Sequence, residues 1–287
     1  MDDQTFFQKV LNKELGECQI VKSSFVGGGC INNTLKFETD KGPFFLKWNK
    51  NQRDLFEKEA LGLAVLERKS PLRIPTIIGK GQIDDQDYLL LEFLDRSPQK
   101  ESFWEDFGVG LAEQHRQSAD QFGLDHNNHI GRLAQLNDWR SSWIDFFIEL
   151  RLEPQLQMAE KSGLVDSQIR SLFENFYPQL SSLLPDEKPA LLHGDLWSGN
   201  FSIGPEGEPC IFDPAVYYGH REMELSFTHM FGGFEAAFYT SYNEAFSLEN
   251  AFEERIDIYN LYPLLVHVNL FGSSYLPPIL RTLNRFK

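Results

Sequence analysis

No run of basic residues interrupts this sequence of 287 residues, and its 27 lysines and arginines face 42 aspartates and glutamates, a net charge of −15. Nucleic acids and anionic membranes are held by clustered Lys and Arg, so neither is expected as a partner. Cysteine is scarce. Cys18, Cys30 and Cys210 are an odd set without metal-type spacing, which fits a reducing cytoplasm rather than a disulfide framework. Long apolar runs are also missing, so no segment is expected to span a membrane. The opening residues Met1-Asp2-Asp3-Gln4 are acidic and lack a continuous apolar stretch, which argues against a signal or transit peptide and for a cytoplasmic location. Internal repeats and low-complexity tracts are absent.

The composition that remains is that of a packed globular protein, 41% hydrophobic with 25 Phe, 9 Tyr and 5 Trp. The length suits one large or two modest domains. Apolar periodicity predicts a helix over 3–15, strands around 19–26, 31–38 and 43–48, and an amphipathic helix over 51–69 that Ser70-Pro71 ends. Two more strands follow near 76–81 and 87–92, and helices then dominate at 102–118, 140–161, 166–183, 221–230 and 250–270. The fold class expected is α+β with two lobes: a β-rich N-lobe over 1–92 that binds nucleotide, and a mainly helical C-lobe over 93–287 that carries catalysis and substrate.

One stretch is far more specific than the rest. His193-Gly194-Asp195-Leu196-Trp197-Ser198-Gly199-Asn200 is followed by Asp213-Pro214-Ala215, placing Asp, Asn and Asp at separations of five and thirteen residues. Kinase-type phosphoryl transfer needs those groups: Asp195 to receive the proton of the attacking hydroxyl, and Asn200 and Asp213 to hold Mg²⁺ on the phosphate oxygens. The apolar runs Ala190-Leu191-Leu192 and Cys210-Ile211-Phe212 read as short buried strands entering and leaving the loop. His193 is expected to support that loop, because such transfer depends on positioning and electrostatics. Trp197 reads equally as core packing or as a stacking platform for substrate.

In the first lobe, Gly27-Gly28-Gly29 lies between two predicted strands and is either a phosphate-approaching loop or a simple hairpin turn. Lys47 sits inside the apolar strand Phe44-Phe45-Leu46-Lys47-Trp48, and Glu57 and Glu59 on the next helix could pair with it; Glu59 is the choice. The run through Glu92, Phe93 and Leu94 could present backbone groups to an adenine edge. Cys30 directly follows the glycines, where gathered N–H groups would favour thiolate. Cys30 is then either a small residue tolerated in a turn or a redox site whose oxidation, or disulfide to a second chain's Cys30 in a linked dimer, would inhibit.

Taken together, the glycine run with Cys30-Ile31-Asn32, Phe45-Leu46-Lys47, Phe56-Glu57-Lys58-Glu59-Ala60, the 193–200 segment, Asp213-Pro214-Ala215, Tyr218-Gly219-His220-Arg221-Glu222 and Met230-Phe231-Gly232-Gly233-Phe234 resemble the fructosamine-3-kinase (ketosamine kinase) family. Asn137-Asp138-Trp139, Phe146-Phe147 and Arg151-Leu152 match that family's insert after its first large helix. The resemblance, over about residues 10–275, implies a protein-kinase-like fold related to aminoglycoside and choline kinases. It also implies ATP- and Mg²⁺-dependent phosphorylation of a sugar hydroxyl on ketosamines, free or protein-bound, whose product breaks down to regenerate the amine. The preferred ketosugar stays open between fructosamine, ribulosamine and erythrulosamine. Pro214 stands where protein kinases carry Phe, and a separate activation segment is missing, so the loop after Asp213 is expected to be locked. Acidic groups of the helical lobe, Asp138 among them, are expected near the cationic substrate nitrogen. The alternatives are a small-molecule kinase of the aminoglycoside or choline type and a catalytically idle kinase-like binding module.

Overall fold

Alternation along one strand explains how the N-terminal sheet is covered on both sides. In β3 (Gly42–Lys50), Phe44, Leu46 and Trp48 are buried on one face, while Phe45 and Lys47 point to the other. The computed structural model describes residues 3–25 and 33–287. The first face packs on α1 (Asp3–Leu15), whose Phe6, Phe7, Val10 and Leu11 make a small core of their own with Phe37, Trp48, Tyr88 and Leu90. Phe7 meets Trp48 edge to face at 4.9 Å, a favoured aromatic geometry. Five antiparallel strands form the sheet: β1 (Ile20–Phe25), β2 (Asn33–Thr39), β3, β4 (Ile77–Ile83) and β5 (Gln86–Glu92), in the order β1-β2-β3-β5-β4. Between β3 and β4 runs α2 (Arg53–Lys69), whose Phe56, Ala60, Leu63 and Leu66 lie at helical spacing and join Leu89 and Leu91 of the sheet in the main core.

That main core continues without a break through the helical remainder. There α3 (Phe103–His115) precedes a small hairpin, β6 (Asn128–Ile130) and β7 (Leu133–Gln135). Next come α4 (Trp143–Phe147), a π turn over Ile148–Leu152, α5 (Glu153–Lys161), α6 (Ser167–Phe176) and α7 (Leu180–Leu183). Four three-residue strands carry the loop region: β8 (Ala190–Leu192), β9 (Phe201–Ile203), β10 (Pro209–Ile211) and β11 (Tyr217–Gly219). The chain closes with α8 (Arg221–Phe231), α9 (Ala236–Ala245), α10 (Phe252–Tyr259), α11 (Leu261–Phe271) and α12 (Leu276–Asn284). A β-rich N-terminal part feeding a helical remainder is the arrangement the sequence predicts.

Three predicted helices are broken where one continuous helix was expected. The 140–161 helix loosens into the π turn, which places Arg151 in the core with no exposed surface, and Pro154 starts α5. Pro178 sits in the 3₁₀ turn Tyr177–Gln179 between α6 and α7. The 250–270 helix breaks at Asn260, whose carboxamide donates to the Ser226 carbonyl at 2.9 Å. The β6–β7 hairpin, α9 and α12 lie outside every predicted element. Among the described residues no helix is long and apolar enough to cross a membrane.

Candidate active site

Lys47 leaves β3 on the face turned toward α2, and Glu59 leaves α2 between Phe56 and Ala60 to meet it, Nζ to Oε1 at 2.7 Å. The same ammonium also bonds the carboxylate of Asp213, 166 residues further along. Burial works against the charge of Lys47, but Asp213 and Glu59 more than restore it and hold its affinity for the proton above the ordinary range. Burial conversely raises Glu59, with Lys47 opposing. Glu57 instead pairs with Arg53 on the solvent side at 2.9 Å. Asp213 has φ of 58°, so the chain turns sharply there, and Pro214 after it packs on α2 where Gly62 offers no side chain.

The two strands expected to flank the catalytic loop do so, but they do not pair with each other. β8 pairs with β11, Leu192 opposite Tyr217, and β10 pairs with β9. The loop is thus clipped at both ends to segments that follow it. Ala215 N–H donates to the His193 carbonyl (2.9 Å), and Phe212 N–H donates to the Asn200 carbonyl (3.0 Å). Gly194 has φ of +84°, and a Cβ there would run into the carbonyl of Ala215, so this position accepts only glycine. Asn200 turns its NH₂ toward Asp195, donating to the main-chain carbonyl (2.8 Å) and to Oδ2 (2.9 Å). Its own carbonyl oxygen is thereby aimed away from Asp195.

His193 is fully buried, and burial keeps it neutral. Its Nε2–H donates to the Phe212 carbonyl at 2.9 Å, while Nδ1 accepts the Asp195 N–H at 3.3 Å. It therefore braces the loop against the strand end that carries Asp213. Burial raises the Asp195 carboxyl well above the usual aspartate range; Asn200 opposes this, and the charges of Asp213 and Glu224 add to it.

Glu224 of α8 is the residue sequence reasoning missed. It is almost completely buried and accepts the amides of His193 (3.1 Å) and Gly194 (2.7 Å) together with His115 Nε2–H (2.8 Å). Tyr242 completes the chain through His115 Nδ1 at 2.8 Å. Burial disfavours its ionisation, yet the bonds from His115 and the loop amides prevail and hold it below the ordinary glutamate range. The only sequence signal for Glu224 was its place two residues after the Tyr218–Glu222 segment, at the start of a predicted helix.

A phosphoryl-transfer constellation with this spacing occurs in several kinase-like families, and comparison with known proteins separates them. The fructosamine kinase family model matches residues 3–286. The chain belongs to that family. It is 38% identical to a probable ketoamine kinase of Synechocystis, an alignment covering 95% of this chain and 92% of the relative. It is 34% identical to the ketosamine-3-kinase of Mus musculus, over 93% and 96% of the two chains. A crystal structure assigned as a fructosamine-3-kinase from Haemophilus somnus superposes with a TM-score of 0.86 at 32% identity, covering 98% of this chain and 96% of that one. At the level of fold alone, the aminoglycoside phosphotransferase APH(4)-Ia is similar, with a TM-score of 0.65 at 13% identity over 99% of each chain.

Within this fructosamine kinase fold the remaining predicted site residues divide. Trp197 is half-buried, its indole edge-on to Phe231 at 5.7 Å, and Phe231 continues to His267 at 5.0 Å. His267, the inner end of this row, lines a cavity of about 20 Å³ beside Asp195 together with Leu192, Tyr217, Phe227 and Tyr262. Asp138 is exposed, its carbonyl lies near Gly123, and its neighbour Trp139 stacks on Tyr218 at 6.3 Å. The linker departs from expectation in its donors. Glu92 N–H bonds the Thr76 carbonyl (2.9 Å) and Phe93 N–H bonds the Pro43 carbonyl (3.3 Å), so both amides are spent inside the sheet. The Glu92 carboxylate is held by Arg73 at 2.5 and 2.6 Å, and Leu94 is half-buried beyond it. Gly27, Gly28, Gly29 and Cys30 lie outside the described residues, and with them the expected thiol bridge. Cys18 and Cys210 are buried free thiols, and burial pushes Cys210 up to about 12, far from the reactive thiolate.

Proposed function

We propose that this chain transfers the γ-phosphoryl group of ATP to a sugar hydroxyl of ketosamines. The observation that carries the reading is the convergence of Lys47, Glu59 and Asp213 from three distant segments, beside a loop that sets Asn200 against Asp195. The names of the relatives point to the same acceptor class. ATP would lie between the sheet and the helical part, with Lys47, held by Glu59, on its phosphates. Asp195 takes the proton from the acceptor hydroxyl as that oxygen bonds phosphorus and ADP leaves. The donor set fits Mg²⁺: the outward carbonyl oxygen of Asn200 and the carboxylate of Asp213 are hard oxygen ligands. Bound there, the ion would neutralise charge on the phosphate oxygens. The row from Trp197 to His267 would wall the sugar, apolar faces of which pack well on aromatic rings.

A kinase of aminoglycosides or choline would use the same catalytic groups, and an idle binding module would have lost some of them. The decisive experiment incubates the protein with ATP, Mg²⁺ and a panel of fructosamines, ribulosamines, erythrulosamines, aminoglycosides and amino alcohols, following ADP release. A ketosamine is expected to give the highest kcat/KM. Faster turnover of an aminoglycoside or choline, or ADP release independent of every acceptor, would overturn the reading.

A further inference from the structure

Asn137 and Arg151 mark the family's insert but touch none of the reacting groups, and the structure shows what they hold. Arg151, without exposed surface, lies over the rings of Tyr217 at 4.0 Å and Phe146 at 4.4 Å and donates to Asn137 Oδ1 at 2.7 Å. Asn137 Nδ2 donates to Asn128 Oδ1 (2.9 Å), and Asn128 Nδ2 donates to the Val216 carbonyl (2.8 Å). Gln135, 2% exposed, is the junction. Its NH₂ donates to Asn128 Oδ1 (2.9 Å) and to the Ala215 carbonyl (3.0 Å), and its carbonyl oxygen accepts the Tyr262 hydroxyl (2.6 Å).

Ala215 is the point of contact with the site. Its N–H is bonded to the His193 carbonyl, and its own carbonyl faces the bare Cα of Gly194 while accepting from Gln135. This one residue ties the loop of Asp195 to the strand end of Asp213, and Gln135 fixes its orientation. Through Tyr262 the same carboxamide also holds a wall of the cavity beside Asp195. Only a carboxamide supplies two donors and an acceptor here without a net charge.

We infer that Gln135 is a positioning residue for the transfer step, setting Asp195 in register with Asp213 through Ala215 and Tyr262. The inference rests on the function proposed above. A reacting geometry displaced by 1 Å costs about 10²-fold in rate, so slackness at Ala215 would appear in turnover before it appeared in binding.

The test separates positioning from mere stability. Gln135→Met keeps the length of the side chain and removes all three bonds; Gln135→Glu still accepts from Tyr262 but cannot donate to Ala215, and serves if the Met variant does not fold. Folded sites are counted by the stoichiometry of Mg²⁺·ATP binding, and kcat on a ketosamine is expressed per site. Both variants are expected to lose at least about tenfold in kcat per site, with the ATP dissociation constant within about threefold of wild type. Asn137→Ser disturbs the same network without touching Ala215 and should lower the unfolding temperature while keeping kcat per site. Gln135 variants with wild-type kcat per site, or an equal loss in Asn137→Ser, would overturn the inference. A wild type that binds ATP but phosphorylates no ketosamine would overturn the proposed function itself, and this inference with it.

Discussion

Glu224 sits where three N–H donors converge in the interior, and glutamine there would turn an NH₂ toward a donor. Leaving a loop amide or His115 without its charged acceptor costs about 3 kcal/mol. Glu224→Gln should therefore lower the midpoint of urea unfolding with an unchanged slope; a midpoint equal to wild type would show that the carboxylate is dispensable. Asp195→Asn should behave differently. The carboxamide fills the same space but cannot take a proton, so kcat is expected to fall by about 10²–10⁴-fold while Mg²⁺·ATP still binds. Asp213→Ala should lose Mg²⁺-dependent nucleotide affinity as well, and calorimetry on the two variants distinguishes the roles. At this scale the sequence was legible where chemistry forces rare spacing: Asp195, Asn200 and Asp213 stand out, and Lys47 is conspicuous inside an apolar strand. Glu224, His115 and Gln135 did not stand out. The partners of Glu224 lie 30 to 109 residues away in the chain, and so do those of the nearby Arg221 and Glu222, which pair with Glu187 and Arg255.

The catalytic loop as an element depends on a backbone that only one residue type permits. Gly194→Ala places a methyl group against the Ala215 carbonyl at a left-handed φ, and both effects must be relieved by moving the loop. The variant should unfold at lower temperature and lose most of its transfer activity; native turnover would mean that the loop has slack the structure does not show. Strand and helix identity followed from periodicity where it was present: β2 and β3 alternate, and α2 has a clear apolar stripe. Breaks within helices did not, because the one-residue shift of a π turn is small beside the scatter of apolar positions, and an arginine gives no apolar signal of its place in the core. Helix α12 was hidden by Pro277 and Pro278, which look like a loop yet occupy its first turn, where proline costs nothing. The strands β6 and β7 are three residues each, too short for any alternation to register.

Across the whole molecule, acid should destabilise the fold through its buried imidazoles. Burial pushes His220, stacked on Trp143 at 4.6 Å, down to about 3, whereas the unfolded chain titrates near 6.5. Between those values the unfolded state binds a proton that the folded state refuses. The contribution is complete above pH 6.5 and is lost as the pH falls, by up to about 1.4 kcal/mol per pH unit. Melting curves from pH 7.5 to 5 should show a steeper decline for wild type than for His220→Phe; parallel curves would rule this out. The net charge of −15 makes a second prediction, since a cationic ketosamine should react with a higher kcat/KM than its neutral free ketose, and equal values would reduce the charge to a solubility feature. The stretch from Pro214 to Gly219 carries the broader consequence. Every residue in it is buried, and it passes from Asp213 into β11 with no spare length. A signalling enzyme cannot reach a hydroxyl there, and no regulator can peel the segment away without dismantling β8 as well. The segment that a protein kinase moves to switch itself on is, in this chain, a rigid seam of the core.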